Sequence, residues 1–280
     1  AYTRDFRATV SFSARSTQKI LTRLLFILFL LSGLAGGSEA AAASVNGASE
    51  NAREEPGEAE ADFLFGRPRQ YFGFQMGMLF PRADSDLFDM VTRELTLDKS
   101  DFRSWDMVFD FGFNLSERFD FVFRIDLSES SKSSEFRHFI DEQGLPITQK
   151  TDFHQTSLTA GIRYLLGPRG LEVGRYAFIP NRIVPFVETG VGVLSYLFRQ
   201  RGDFVDSTTL EIFWAHLESS DWTPTVFLGG GLDIHLHKSL YATLNLRYSW
   251  AERNLSGSFS GFDPIDLDGF RATTGIRFHY

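Results

Sequence analysis

The chain has 280 residues, 43% of them hydrophobic, a mean hydropathy of −0.13 and a formal net charge of −8. The excess of acid repels phosphate backbones and argues against nucleic acid as a partner. The hydropathy argues against a helical membrane protein, because each helical span needs ~20 consecutive apolar residues, and with no cysteine in the sequence there is no disulfide or thiol chemistry to consider.

In chain order, residues 1–40 come first, with five basic residues (Arg4, Arg7, Arg15, Lys19, Arg23) against two acidic ones (Asp5, Glu39). Lys19 and Arg23 precede an apolar run over 24–31, and small residues follow up to Ser38, Glu39 and Ala40. Basic, apolar, then small is the order of a secretory signal, with cleavage expected after Ala40 or, alternatively, after Ala42 or Ala43. Residues 1–18 are assigned no fold. Residues 41–69 carry Glu50, Glu54, Glu55, Glu58 and Glu60 without apolar periodicity and read as a disordered, acidic periplasmic leader.

From residue 70 onward, apolar residues recur with period two, the signature of strands with two unlike faces. Segment 71–80 sets Phe72, Phe74, Met76, Met78 and Phe80 against Tyr71, Gly73, Gln75 and Gly77. Segment 103–115 sets Trp105, Met107, Phe109, Phe111, Phe113 and Leu115 against Asp106, Asp110, Gly112 and Asn114. A turn at 116–118 leads into 119–127, where Phe119, Phe121, Phe123, Ile125 and Leu127 oppose Asp120, Arg124 and Asp126. Segments 154–166, 184–197, 223–236 and 240–251 follow, and the last strand opposes Phe270, Ala272, Thr274, Ile276, Phe278 and Tyr280 to Arg271, Thr273, Gly275, Arg277 and His279. Pro185 and Pro224 sit at strand starts, where a missing donor is tolerated.

The spacing predicts long loops at 81–102, 128–153, 198–222 and 252–268, and short turns after the second and sixth segments. Long loops on one side and short turns on the other are the membrane-barrel pattern. The link 167–183 departs from it and is expected to extend strands below the membrane or to carry a small helix. With the N-terminus in the periplasm, Trp105, Tyr196, Trp222 and Trp250 fall near the outer ends and Tyr71, Phe119, Tyr164 and Tyr280 near the inner ends, which predicts two aromatic girdles. A soluble barrel would alternate as well, but it has no reason to sort its aromatics by depth.

Residues 70–280 thus resemble the small bacterial outer-membrane β-barrels of the OmpA, OmpX and OmpW kind. The resemblance implies an all-β fold, an eight-stranded antiparallel up-and-down transmembrane barrel, in the bacterial outer membrane. It also implies a monomer in contact with outer-membrane lipid and lipopolysaccharide, handled by periplasmic chaperones and inserted by the barrel-assembly machinery. The terminal aromatic strand, with Phe278 and Tyr280, is the expected assembly signal.

The inward faces collect Asp110, Arg124, Asp126, Arg163, Glu188, Asp233, Arg247, Arg271 and Arg277. An eight-stranded barrel is just wide enough for its own side chains, and buried charges must be paired. These residues are therefore expected to form a structural network filling the lumen, with a narrow polar pore as the sharper alternative. No catalytic residue, metal site or cofactor is expected. His154 and Ser157 are three apart and face opposite sides of a strand, so they do not form a nucleophile and base. His235, His237 and His279 read as barrel-end histidines. Gly229, Gly230 and Gly231 lie inside a strand and relieve crowding. Phe213 and Trp214 are expected to pack against the outer girdle rather than to anchor a partner. The expected role is structural or surface interaction in the cell envelope; the alternative is a narrow channel for small or hydrophobic solutes, and a third reading is a lipid A-modifying enzyme.

Overall fold

The computed structural model describes residues 64–141, 143–173, 177–206 and 209–280. The expected signal at 1–40 and most of the expected leader lie outside them. The last part of that leader departs from expectation, since Leu64 and Phe65 form a short strand, β1 (Leu64–Phe65).

Eight strands close into one antiparallel barrel. In chain order they are β2 (Gln70–Pro81), β3 (Ser104–Asn114), β4 (Phe119–Ile140), β5 (Pro146–Leu165), β8 (Ile183–Val205), β9 (Ile212–His237), β10 (Leu240–Trp250) and β13 (Gly269–His279). Each pairs with its chain neighbour among these eight, and β13 pairs with β2 from Gly269↔Pro81 to His279↔Tyr71, which completes the ring. Full closure leaves no unpaired edge where the chain meets lipid.

Within the membrane-spanning part of the barrel, burial alternates along the strands with the sign opposite to that of a soluble protein. Met76, Met107, Phe121, Ile162, Val191, Leu228, Leu246 and Ile276 are exposed, while Asp106, Asp110, Asp126, Arg163 and Arg277 are buried. Apolar surface outside and charge inside is stable only where the outside medium is itself apolar, so the barrel spans a membrane. Among the described residues no helix is long and apolar enough to do so.

The outer half corrects several expectations. Residues 128–153 and 198–222 are not loops: β4 and β5 run on to Ile140 and Pro146, and β8 and β9 to Val205 and Ile212. The link 81–102 contains a helix, α1 (Asp86–Glu94), and a 3₁₀ turn, Lys99–Phe102. The link 167–183 forms a hairpin, β6 (Gly170–Val173) and β7 (Ala177–Pro180), whose second strand pairs with β1. In the last outer loop β11 (Glu252–Arg253) pairs with β12 (Ile265–Asp266). Tyr71 and Tyr196, expected in the girdles, are buried inside, whereas Trp105, Trp222, Trp250, Phe119 and Tyr280 face outward.

Candidate functional site

The lumen is built by alternation. Every second residue of each strand points inward, and closure brings together side chains far apart in sequence. All nine charged residues expected inside are buried, and each makes at least one ion pair. They form two layers.

In the lower layer Arg124 contacts Glu188 at 2.6 Å. Arg163 reaches Glu188 at 2.8 Å, Asp233 at 3.6 Å and Asp110 at 3.8 Å. Arg277 binds Asp110 at 2.8 Å and also pairs with Asp233. Asn245 donates to Glu188 at 2.8 Å, and Gln75 donates to Asp110 at 3.2 Å. In the upper layer Arg247 pairs with Asp126, which also accepts from Ser157 at 2.5 Å. Arg271 lies 3.4 Å from Asp106 and donates to Ser249 at 2.8 Å and Gln155 at 3.1 Å.

With Asp106 included, five arginines meet five carboxylates, three against three below and two against two above. Each layer is neutral, the condition under which mutual attraction can offset desolvation. The alternation had placed Asp106 on the inner face, but its partner, Arg271, lies 165 residues on in sequence and could not be read from spacing. Asp120 was likewise placed inside, and it pairs with Arg169 from the β5–β6 link, which alternation did not cover.

Aromatic rings hold the lower arginines in place. The Arg163 guanidinium lies 4.0 Å from the Phe186 ring centre and 5.3 Å from that of Tyr71, and Arg277 lies 5.1 Å from Tyr71. Glycine seats these rings. A Cβ on Gly112 would fall 1.9 Å from Tyr71, and one on Gly231 would fall 2.6 Å from Phe186. The period-two glycines of the sequence are thus sockets in the wall.

Above the charges the mouth is closed by a different material. Leu87, Phe88 and Val91 of α1 pack with Phe102, Phe153, Phe198, Phe259, Ile265 and Leu267 into one apolar core. Phe88 meets Phe102, Phe153 and Phe198 edge-on with centroids 4.8, 5.6 and 5.9 Å apart. Below the charges a small pocket of about 20 Å³ opens between Pro68, Asn114, Arg169, Tyr241 and His279, with Phe178 of β7 in its wall.

The remaining candidates fall in different places. Phe278 and Tyr280 face outward. Ser157 is buried in the lumen, and His154 lies on the outside next to Glu129, 3.8 Å away. His279 stacks on Tyr71 at the lower mouth, while the His235 ring meets the Lys238 carbonyl at 2.8 Å. Phe213 and Trp214, expected against the girdle, are 49% and 67% exposed on the hairpin that stands above it. Phe213 stacks on Phe204, with centroids 6.2 Å apart.

Apolar outside, charged inside, even-stranded and closed, the chain has the fold of the bacterial outer-membrane β-barrels and sits in that membrane. No family model matches the chain, and no curated protein matches it. Solved structures similar to it include Neisserial surface protein A, at 11% identity and a TM-score of 0.40, covering 75% of this chain and 97% of that one. The attachment invasion locus protein Ail of Yersinia pestis matches at 13% identity and 0.38, covering 75% and 99%. The outer membrane protease OmpT of Escherichia coli matches at 8% and 0.39, covering 77% and 98%. At these values the likeness is one of fold alone.

Proposed function

We propose that this barrel serves the cell envelope through its wall and its outer surface rather than as a conduit. The observation that carries this reading is the double closure of the lumen: two neutral layers of paired charge, then an aromatic core across the mouth. Between the upper arginines and Asn245 the packing leaves no room for a water molecule. The strands that rise beyond the girdle, β4, β5, β8 and β9, give the surface role a physical basis. The chain is taken to act as a monomer in contact with outer-membrane lipid and lipopolysaccharide. Its terminal strand, with Phe278 and Tyr280 facing outward, supports recognition by the assembly machinery during insertion. Catalysis at His154 and Ser157 has no support, since the barrel wall separates them.

Planar-bilayer conductance of the refolded barrel tests the reading, with heat-modifiable gel migration confirming the fold. A folded barrel that carries no current is expected. Discrete, reproducible current steps would overturn it in favour of a channel.

A further inference from the structure

The hairpin of β6 and β7 continues the barrel wall below the inner girdle. Leu166 N–H donates to the Pro185 carbonyl at 2.9 Å where the β5–β8 ladder ends, and Asn181 N–H donates to the Arg169 carbonyl at 2.8 Å where the hairpin begins. From there β6 and β7 pair from Gly170↔Pro180 to Val173↔Ala177. Parity carries over along the second strand. Val187, Ile183 and Ile179 are exposed on one side, and Phe186, Val184 and Phe178 are buried on the other.

The outward face of the hairpin is apolar. Leu171 lies opposite Ile179, and the two are 65% and 46% exposed; Val173, on the same face, is exposed as well. One apolar surface therefore runs from the membrane-spanning wall onto the hairpin. A contiguous exposed apolar patch marks an interaction site, and this one is continuous with the surface that meets lipid.

Cations surround the hairpin. Over 64–69, 115–119, 166–173, 177–183 and 236–239, the described residues of the inner end, Arg67, Arg69, Arg118, Arg169, Arg182 and Lys238 stand against Glu117 and Glu172. Arg169 is taken by Asp120 and Arg67 by the Ser116 carbonyl. Arg118 and Arg182 are exposed and flank the hairpin. The Arg118 carbonyl accepts from Leu165 N–H at 2.8 Å at the foot of β5, and the Arg182 carbonyl accepts from His235 N–H at 2.9 Å at the foot of β8. Arg118 Nη1 also donates to the Tyr164 hydroxyl at 3.4 Å, which sets its guanidinium beside an aromatic ring of the inner girdle. The outer end has the opposite sign: residues 82–103, 129–154, 199–221 and 252–268 hold twenty carboxylates against ten lysines and arginines.

We propose that the outward face of the β6–β7 hairpin, with Arg118 and Arg182 at its flanks, binds anionic phospholipid of the inner leaflet. Acyl chains would lie against Leu171, Val173 and Ile179, and the two guanidinium groups would hold the headgroup phosphate. Phosphate in the outer leaflet meets the acidic end of the barrel, so the preference belongs to the inner leaflet. This rests on the lipid contact proposed above and names the class of headgroup.

The sequence has no cysteine, so Leu171→Cys carries a single fluorophore on the hairpin and Met76→Cys carries one on β2, across the barrel. Each labelled full chain is refolded into phosphatidylcholine vesicles that contain a small fraction of spin-labelled phosphatidylglycerol or spin-labelled phosphatidylcholine. At 171 the phosphatidylglycerol quencher should act at about threefold lower concentration than the phosphatidylcholine one, and at 76 the two should be equal. The excess at 171 should vanish when Arg118→Gln and Arg182→Gln are combined, and should fade in ~1 M salt. Equal quenching at 171 in low salt would overturn the headgroup preference. A label at 171 that neither lipid reaches would overturn the lipid contact and give the face to a periplasmic partner. The salt series decides the matter even if the double variant fails to fold. Bilayer current bears on the closed lumen alone, so the two readings fail separately.

Discussion

Within the membrane the lumen is filled by arginines paired with carboxylates; just above it, the mouth is filled by phenylalanines. The two fillings stand next to each other and use opposite physics. The lumen side chains are fixed by strand alternation, because the outer face must be apolar for lipid. What points inward is polar, and its stability depends on each charge finding a partner. The mouth is built from loops that fold in water, where burying rings is itself the driving force. The lumen filling is thus expected to behave as an all-or-none network, and the cap as a small core that opens by itself.

The largest test of that contrast is Glu188→Ala. It strips Arg124 and Arg163 of their shared carboxylate and should cost the barrel about 3–5 kcal/mol. Urea unfolding followed by tryptophan fluorescence measures the loss. An unchanged midpoint would mean that the network does not hold the barrel together.

Phe88→Ala should cost about 3 kcal/mol, but within the cap alone. Hydrogen exchange should quicken over 86–102 while the urea midpoint of the barrel stays put. A midpoint that moves would join cap and lumen into one cooperative unit. The variant should also stay silent in bilayers, because the charge layers beneath remain in place.

The smallest expected effect concerns acid. The charge of Asp263 raises the pKa of Asp86 above the ordinary carboxylate range, and hydrogen bonding to Lys99 and Arg82 lowers that of Asp84. The signs are opposite. The Asp86 contact is harmless below its unfolded value and becomes repulsive as pH rises through its raised value. The Asp84 contacts hold above its unfolded value and fade as pH falls through the lowered one. Asp86→Asn should therefore raise cap protection at about pH 7 and change it little near pH 4, whereas Asp84→Asn should lower it at about pH 7. Exchange protection factors over 86–94 at the two pH values decide this.

The eight strands were legible in the sequence because the membrane imposes alternation on them. Where the wall leaves the membrane, that constraint ends. From Ser128 to Glu135 the chain reads Ser, Glu, Ser, Ser, Lys, Ser, Ser, Glu, with no greasy face, yet it is strand, held by its neighbours. Helix α1 was hidden in a similar way: Leu87, Phe88 and Val91 share a helical face, but the aspartates around them read as a solvated loop. In the lumen, parity told which charges point inward and not which meet. Arg247 and Asp126 are 121 residues apart, and only the closure of the ring brings them together. Parity also contradicted the girdle assignments of Tyr71 and Tyr196, and parity was right, since both rings are inside.

The length of β9 has a consequence for when Trp214 can be reached. Trp214 lies eight residues beyond Trp222, which faces the girdle, so at ~3.3 Å per residue and a tilt near 40° it stands about 20 Å above the girdle. That is a height measured in sugars. A cell whose surface glycans are trimmed short leaves the strand standing clear, and one that grows them long hides it. Access to Trp214 is then expected to follow the length of the polysaccharide coat, with no movement of the protein.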